Sequence, residues 1–165
     1  MDNYEIVPYQ PEHGEFMIEF GLNDKLMDGD AEYEENRIDF ATPGLSYTLL
    51  YNSKPVVSGG VCPLWSGVAE GWVISSKRIL QNKIKAARLI KKRTDLLCNN
   101  NKIWRLQTAV KANFAIGVRF AEFLGLKKEG LMKMYGPDKT DYFRMAKIYE
   151  FHRSFRSSTI SKSYW

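Results

Sequence analysis

Two kinds of apolar spacing alternate along this chain, and together they predict its elements. "YEIVPYQ" at the start is a run of β-formers, followed by a Pro-Glu helix start at Pro11. "PEHGEFMIEFGL" brings Phe16, Ile18, Phe20 and Leu22 together in a short helix. "AEYEENRIDF" predicts a second helix that offers Tyr33, Ile38 and Phe40 to a core, and "TPG" stops it. Three strand-like runs follow: Leu45–Tyr51, "PVVSGGVCPL" and "VAEGWVIS". They are separated by hairpin-sized turns at Asn52–Lys54 and Ser66–Gly67. Gly59 and Gly60 inside the second run signal a bulge or a close backbone approach.

Helical spacing then returns. From about Ile79 to Leu97, the residues Leu80, Ile84, Ala87, Ile90, Thr94 and Leu97 recur at steps of three and four. The bases Lys83, Lys85, Arg88, Lys91 and Lys92 lie largely off that stripe. "CNNNK" closes the helix, with asparagine as the left-handed cap. "IWRLQTAV" is a strand, and "ANFAIGVRFAEFLGL" is an amphipathic helix with Asn113 as its N-cap candidate and Gly125 as its end. The last elements are two strands joined by a "GPDKT" turn. The order β α α β β β α β α β β describes an α+β protein with one domain over residues 1–150. The tail 151–165 is basic and serine-rich, and is expected to be mobile or docked on a partner.

Composition narrows the function. The 165 residues are enough for one core, and 44% hydrophobic content argues against disorder. No apolar run approaches the roughly 20 residues that a bilayer span requires, so no membrane association is expected. The N-terminal residues are acidic and carry no apolar signal region, which points to a cytoplasmic protein. Cys62 and Cys98 are far apart and read as reduced thiols. His13 and His152 have no ligand cluster beside them, so neither a metal centre nor a Ser–His–Asp triad is expected. The net charge of +5 is unevenly spread: residues 12–39 hold ten acids, and residues 77–93 hold eight bases and no acid. Such a basic segment steers anions, yet too few aromatics interleave with it to predict stacking on nucleic acid.

The element order, together with "NFAIGVRFAEFLGLKKEGL", resembles the GNAT (GCN5-related N-acetyltransferase) family over about residues 3–150. Asn113, Phe120, Gly125, Leu126, Glu129 and Gly130 stand where that family's helix signature has its marked residues, and "SYTLLYNSKPVVSGGV" resembles its strand pair. The whole is similar to small phage-encoded GNAT-like proteins, some of them tied to virion assembly. The resemblance implies a mixed sheet of about six to seven strands flanked by about four helices. It implies acetyl-CoA as cofactor, held in a gap between Val68–Ser75 and Ile103–Val110. In that gap unpaired backbone groups meet the pantetheine amides, and a helix N-terminus meets the pyrophosphate. The corresponding cofactor-binding residues are Ile74, Ser75, Lys77, Arg78, Gln81, Asn82, Lys83, Asn113 and Phe120. Glu70 is the candidate base, Tyr142 the candidate hydroxyl for the leaving thiolate, and a backbone N–H near Ile74 the oxyanion donor.

Two departures stand out. Gln81 and Lys83 occupy slots where the family's phosphate turn has glycines, leaving Lys77, Arg78 and Lys83 to hold phosphate by charge. The helix at Phe120–Ala121 lacks the family's tyrosine. Two functions therefore stay open. One is acetyl transfer to the amine of a small molecule or protein. The other is a degenerate GNAT-fold phage protein, in the host cytoplasm or virion, acting on a phage or host protein.

Overall fold

The computed structural model describes residues 3–19 and 44–150. The expected helix at 31–40, Phe20, Leu22 and the tail 151–165 lie outside the described residues. The strands are β1 (Tyr4–Pro8), β2 (Ser46–Tyr51), β3 (Lys54–Trp65), β4 (Val68–Ser75), β5 (Arg105–Lys111), β6 (Lys127–Met132) and β7 (Tyr142–Ile148). The described α-helices are α1 (Pro11–Glu19), α2 (Lys83–Asn100) and α3 (Ala115–Leu124), with a 3-10 helix at Lys77–Asn82. One seven-stranded sheet runs in the order β1-β2-β3-β4-β5-β7-β6. Every pair is antiparallel except β4 with β5.

Local chemistry sets the turns. Asn52 and Ser53 both take positive φ (48° and 61°), as a two-residue hairpin between right-twisted strands requires. Gly67 has φ 76°, and a Cβ there would run into the indole of Trp104. Gly125 ends α3 at φ 97°, its N–H bonding back to Ala121 and Glu122 carbonyls. The glycine pair in β3 marks a close approach rather than a bulge. A Cβ at Gly60 would meet the Leu45 carbonyl oxygen, and one at Gly59 would lie 2.8 Å from that of Trp72. The register shifts along β3 fall instead opposite Leu49–Leu50 and at Pro63–Trp65.

Strand period two divides the sheet into two faces. One face carries Ala69, Leu106 and Met145 beneath α2 and α3. Val61, Ala69, Cys98, Ile103 and Leu106 form one cluster there, and Ala121, Leu126 and Met145 another. Each fully buried large side chain in these clusters contributes about 1.5–3 kcal/mol. The other face takes α1, anchored by the fully buried Met17 and by His13 Nδ1, 2.9 Å from Thr48 Oγ1.

Three expectations are corrected. The long helix is divided, beginning as a 3-10 turn at Lys77 and becoming α-helical only at Lys83. Its left-handed residue is Lys102 (φ 53°), and Asn101 caps differently, donating its side-chain amide to Leu97 O at 2.8 Å. The α3 N-cap is Phe114, with Asn113 exposed ahead of it.

Candidate functional site: a gap between two parallel strands

β4 and β5 are paired only at Val68–Arg105, Ala69–Leu106 and Glu70–Gln107. Beyond that point β4 continues to Ser75 and β5 to Lys111 without a shared ladder. Which backbone groups face the opening follows from the outer ladders. Ser76 N–H donates to Val56 O (3.0 Å), so the even-numbered residues of β4 bond to β3. The N–H and C=O groups of Val73 and Ser75 therefore turn toward the opening. On β5, Ala112 N–H donates to Asp141 O and Tyr149 N–H to Trp104 O, both at 2.8 Å, so the even-numbered residues bond to β7. Ala109 and Lys111 face the opening. At its vertex Thr108 Oγ1 donates to Gly71 O at 2.9 Å.

The same alternation turns Ile74 itself away from the opening, so an oxyanion donor near it would be one of its neighbours. Its N–H belongs to the β3 side, opposite Ser58, and its side chain is buried. The inward donors are those of Val73 and Ser75.

A cleft of about 1320 Å³ runs through this opening and between the two helices. Glu70, Ile74, Ser75, Lys83, Phe120 and Tyr142 all line it. Leu80 (50% exposed) and Ile84 (61%) line it too. The helix stripe is real, but its N-terminal part faces the cleft, and the buried helix residues are Ala86, Leu97 and Cys98. Ile116, Phe114 and Val73 make the facing apolar wall.

The wide end of the cleft meets the start of α2. Here Ile79 N–H donates to Ser76 O (3.1 Å), opening a 3-10 helix whose internal bonds consume backbone donors. Asn82, the α2 N-cap, makes no side-chain capping bond, and no acid sits in the first turn. The helix tip thus keeps its positive end, with the exposed Lys83 on it. Arg78 lies 6.0 Å from the Phe16 ring, and Gln81 is exposed. The basic helix is only partly a solvated face. Lys85 stacks over Tyr4, Arg93 over Tyr47 at 3.8 Å, and Lys91 Nζ donates to Leu124 O at 3.0 Å.

Glu70 sits where the strands part. Arg144 Nη1 donates to both its oxygens (3.0 and 3.1 Å), and Gln107 Nε2 donates to Oε2 at 3.1 Å. Sequence reasoning missed Arg144, because nothing local links residues 74 apart. Glu129 and Glu122 pair with Arg105 and Lys128. Arg105 holds the Glu129 carboxyl below its usual range by hydrogen bonding. Tyr142 lies on β7 with its ring 5.4 Å from that of Tyr135. No hydroxyl comes from α3, where Ala121 is buried. At the rim, the buried Lys111 pairs with Asp138 at 2.6 Å. That bond and one from Thr140 bring the Asp138 carboxyl down to about 2.

The fit to acetyl-CoA differs along the cleft. Inward backbone groups suit an arm built of amides. The phosphate end offers a helix tip and cations in place of a glycine-lined turn. Among the described residues no cluster of metal-ligating side chains occurs, and no helix is long and apolar enough to cross a membrane.

Seven strands parting at one parallel pair, with helices on both faces, define the GNAT fold, and solved structures agree. Ard1 from Thermoplasma volcanium superposes with a TM-score of 0.74 at 11% identity, covering 90% of this chain and 99% of that one. A GNAT-family acetyltransferase from Elizabethkingia anophelis with acetyl-CoA bound gives 0.67 at 15% identity, covering 90% and 100%. The ribosomal-protein-alanine N-acetyltransferase of Brucella melitensis gives 0.64 at 15%, covering 88% and 99%. At these identities the likeness is one of fold. No family profile matches the sequence, and no curated protein matches it.

Proposed function

We propose that this protein transfers an acetyl group from acetyl-CoA to a primary amine of a small molecule or protein. The observation that carries the reading is the gap, with the backbone groups of Val73, Ser75, Ala109 and Lys111 turned into it. Bound acetyl-CoA would supply an activated acetyl thioester. Val73 and Ser75 would bond the amides of its arm, and Lys83, Lys77 and Arg78 would attract its phosphates. Glu70 would take the proton of the amine, directly or through water, from its fixed place at the vertex. Tyr142 is the hydroxyl assigned to the leaving thiolate. In this reading the protein acts in the cytoplasm. Calorimetry with acetyl-CoA tests the reading, with binding expected at micromolar to sub-millimolar concentration, and no heat at millimolar cofactor would end it.

A second reading rests on the 3-10 turn at Lys77–Asn82 and on the α3 helix without a hydroxyl. In it the fold is kept as a phage assembly or host-interaction module that has lost catalysis. Turnover that Glu70→Gln abolishes would exclude it.

A further inference from the structure

We propose that Arg144 is a positioning residue for Glu70, and that Ala109 is the residue that lets it be one. The inference rests on the transferase reading and adds a residue to its site. Arg144 is on β7, which is two strands away from β4 in the sheet. Adjacent strands lie about 4.8 Å apart, so its side chain must cross the whole width of β5. The β5 residue opposite Arg144 is Ala109. Its methyl group leaves a low point over which the guanidinium reaches Glu70.

The contact is one end of a longer chain of polar groups. Arg105 Nε donates to Gln107 Oε1 at 2.9 Å. That bond orients the Gln107 amide so that its Nε2 faces Glu70. Arg105 is itself locked by Glu129 through two parallel bonds, at 2.9 and 2.5 Å. Gln107 of β5 and Arg144 of β7 thus meet on a single β4 carboxylate that is 23% exposed, and Glu129 of β6 supports them through Arg105. Cys62 faces Glu70 across the β3–β4 ladder, and Tyr142 lies two residues from Arg144 on the same strand face. A carboxylate has about four lone-pair directions. Three contacts are made here, so one direction is left, fixed in space. Arg144 therefore sets where an incoming amine must present its proton, rather than binding the amine or cofactor.

The test is steady-state kinetics on wild type, Arg144→Met, Arg144→Lys, Glu70→Gln and the Arg144→Met/Glu70→Gln pair, with calorimetry of acetyl-CoA alongside. Arg144→Met should lower kcat roughly 10–100-fold, the scale of a misplaced catalytic group, and leave the acetyl-CoA Kd unchanged. Arg144→Lys should recover part of the loss. In the double variant, Glu70→Gln should add less than about twofold, because the two residues act as one unit. Ala109→Leu, which keeps both charged groups and blocks the path between them, should reproduce the kcat loss and decides the matter if Arg144→Met folds poorly. Losses that multiply, or an unchanged kcat in Ala109→Leu, would overturn the role of Arg144 alone. A wild type without turnover would overturn the transferase reading and this role with it.

Discussion

The two ends of the cleft are built on different principles. At the narrow end, recognition groups are backbone atoms whose direction is set by ladder alternation in β3–β4 and β5–β7. Those backbone contacts do not require a side chain of one particular kind. At the wide end the opposite holds, because a backbone cradle needs glycines and this chain has Gln81 and Lys83 in their place. The backbone has wound into a 3-10 turn and side-chain charge is what remains. Topology preserves the first kind of site under sequence change, whereas the second kind drifts one residue at a time.

Breaking the narrow end should have the larger effect. Val73→Pro removes one inward N–H and spares the hydrogen bonds to β3, which the neighbouring Trp72 and Ile74 make while Val73 sits opposite Gly59. It should weaken acetyl-CoA binding by about 1–3 kcal/mol, the cost of an unmade buried bond. Calorimetry would read this as a Kd roughly 5- to 150-fold higher with little change in Tm. At the wide end, Lys83→Ala should cost only about 0.2–1 kcal/mol, as expected of an exposed charge. Raising the salt from 50 to 500 mM should erase most of that difference. Equal losses at both ends, or a larger one at Lys83, would reverse the comparison.

The smallest effect concerns acid. Burial lowers the His13 imidazole from its ordinary 6.5. A base depressed on folding is protonated more readily when unfolded, so its contribution to stability is intact above 6.5 and lost as pH falls below it. The Asp138 carboxyl, lowered from 3.8 to about 2, contributes above 3.8 and loses its share as pH falls toward 2. Thermal melts should show a first decline below 6.5, absent in His13→Gln, and a second in the carboxylate range, shallower below 3.8 in Asp138→Asn.

Much of this was legible in the sequence. Short-range chemistry gave the hairpin at Asn52–Ser53 and the stop at Gly125, and the family resemblance implied the parting strands. What stayed hidden was non-local or depended on what a surface faces. The periodicity of Leu80 and Ile84 is the same whether the stripe meets a core or lines a cleft. The pair Glu70–Arg144 needs two strands of register and a small residue between them, and no spacing rule encodes that. Trp65 and Trp104 are 66% and 46% exposed, since bulk alone does not say which side of a turn an indole covers.

The helices flanking the cleft are joined unevenly. Lys91 and Lys147 both donate to the Leu124 carbonyl, and Asp95 accepts from Lys147 and from the Tyr149 hydroxyl. These ties run from the middle of α2 onward and meet the last residue of α3. Leu80, Ile84 and Ile116, at the other ends, meet across open space. The pair is therefore shaped like tongs pivoted at the base: guests of different girth can spread the tips while the pivot and the packed layer below it keep their shape.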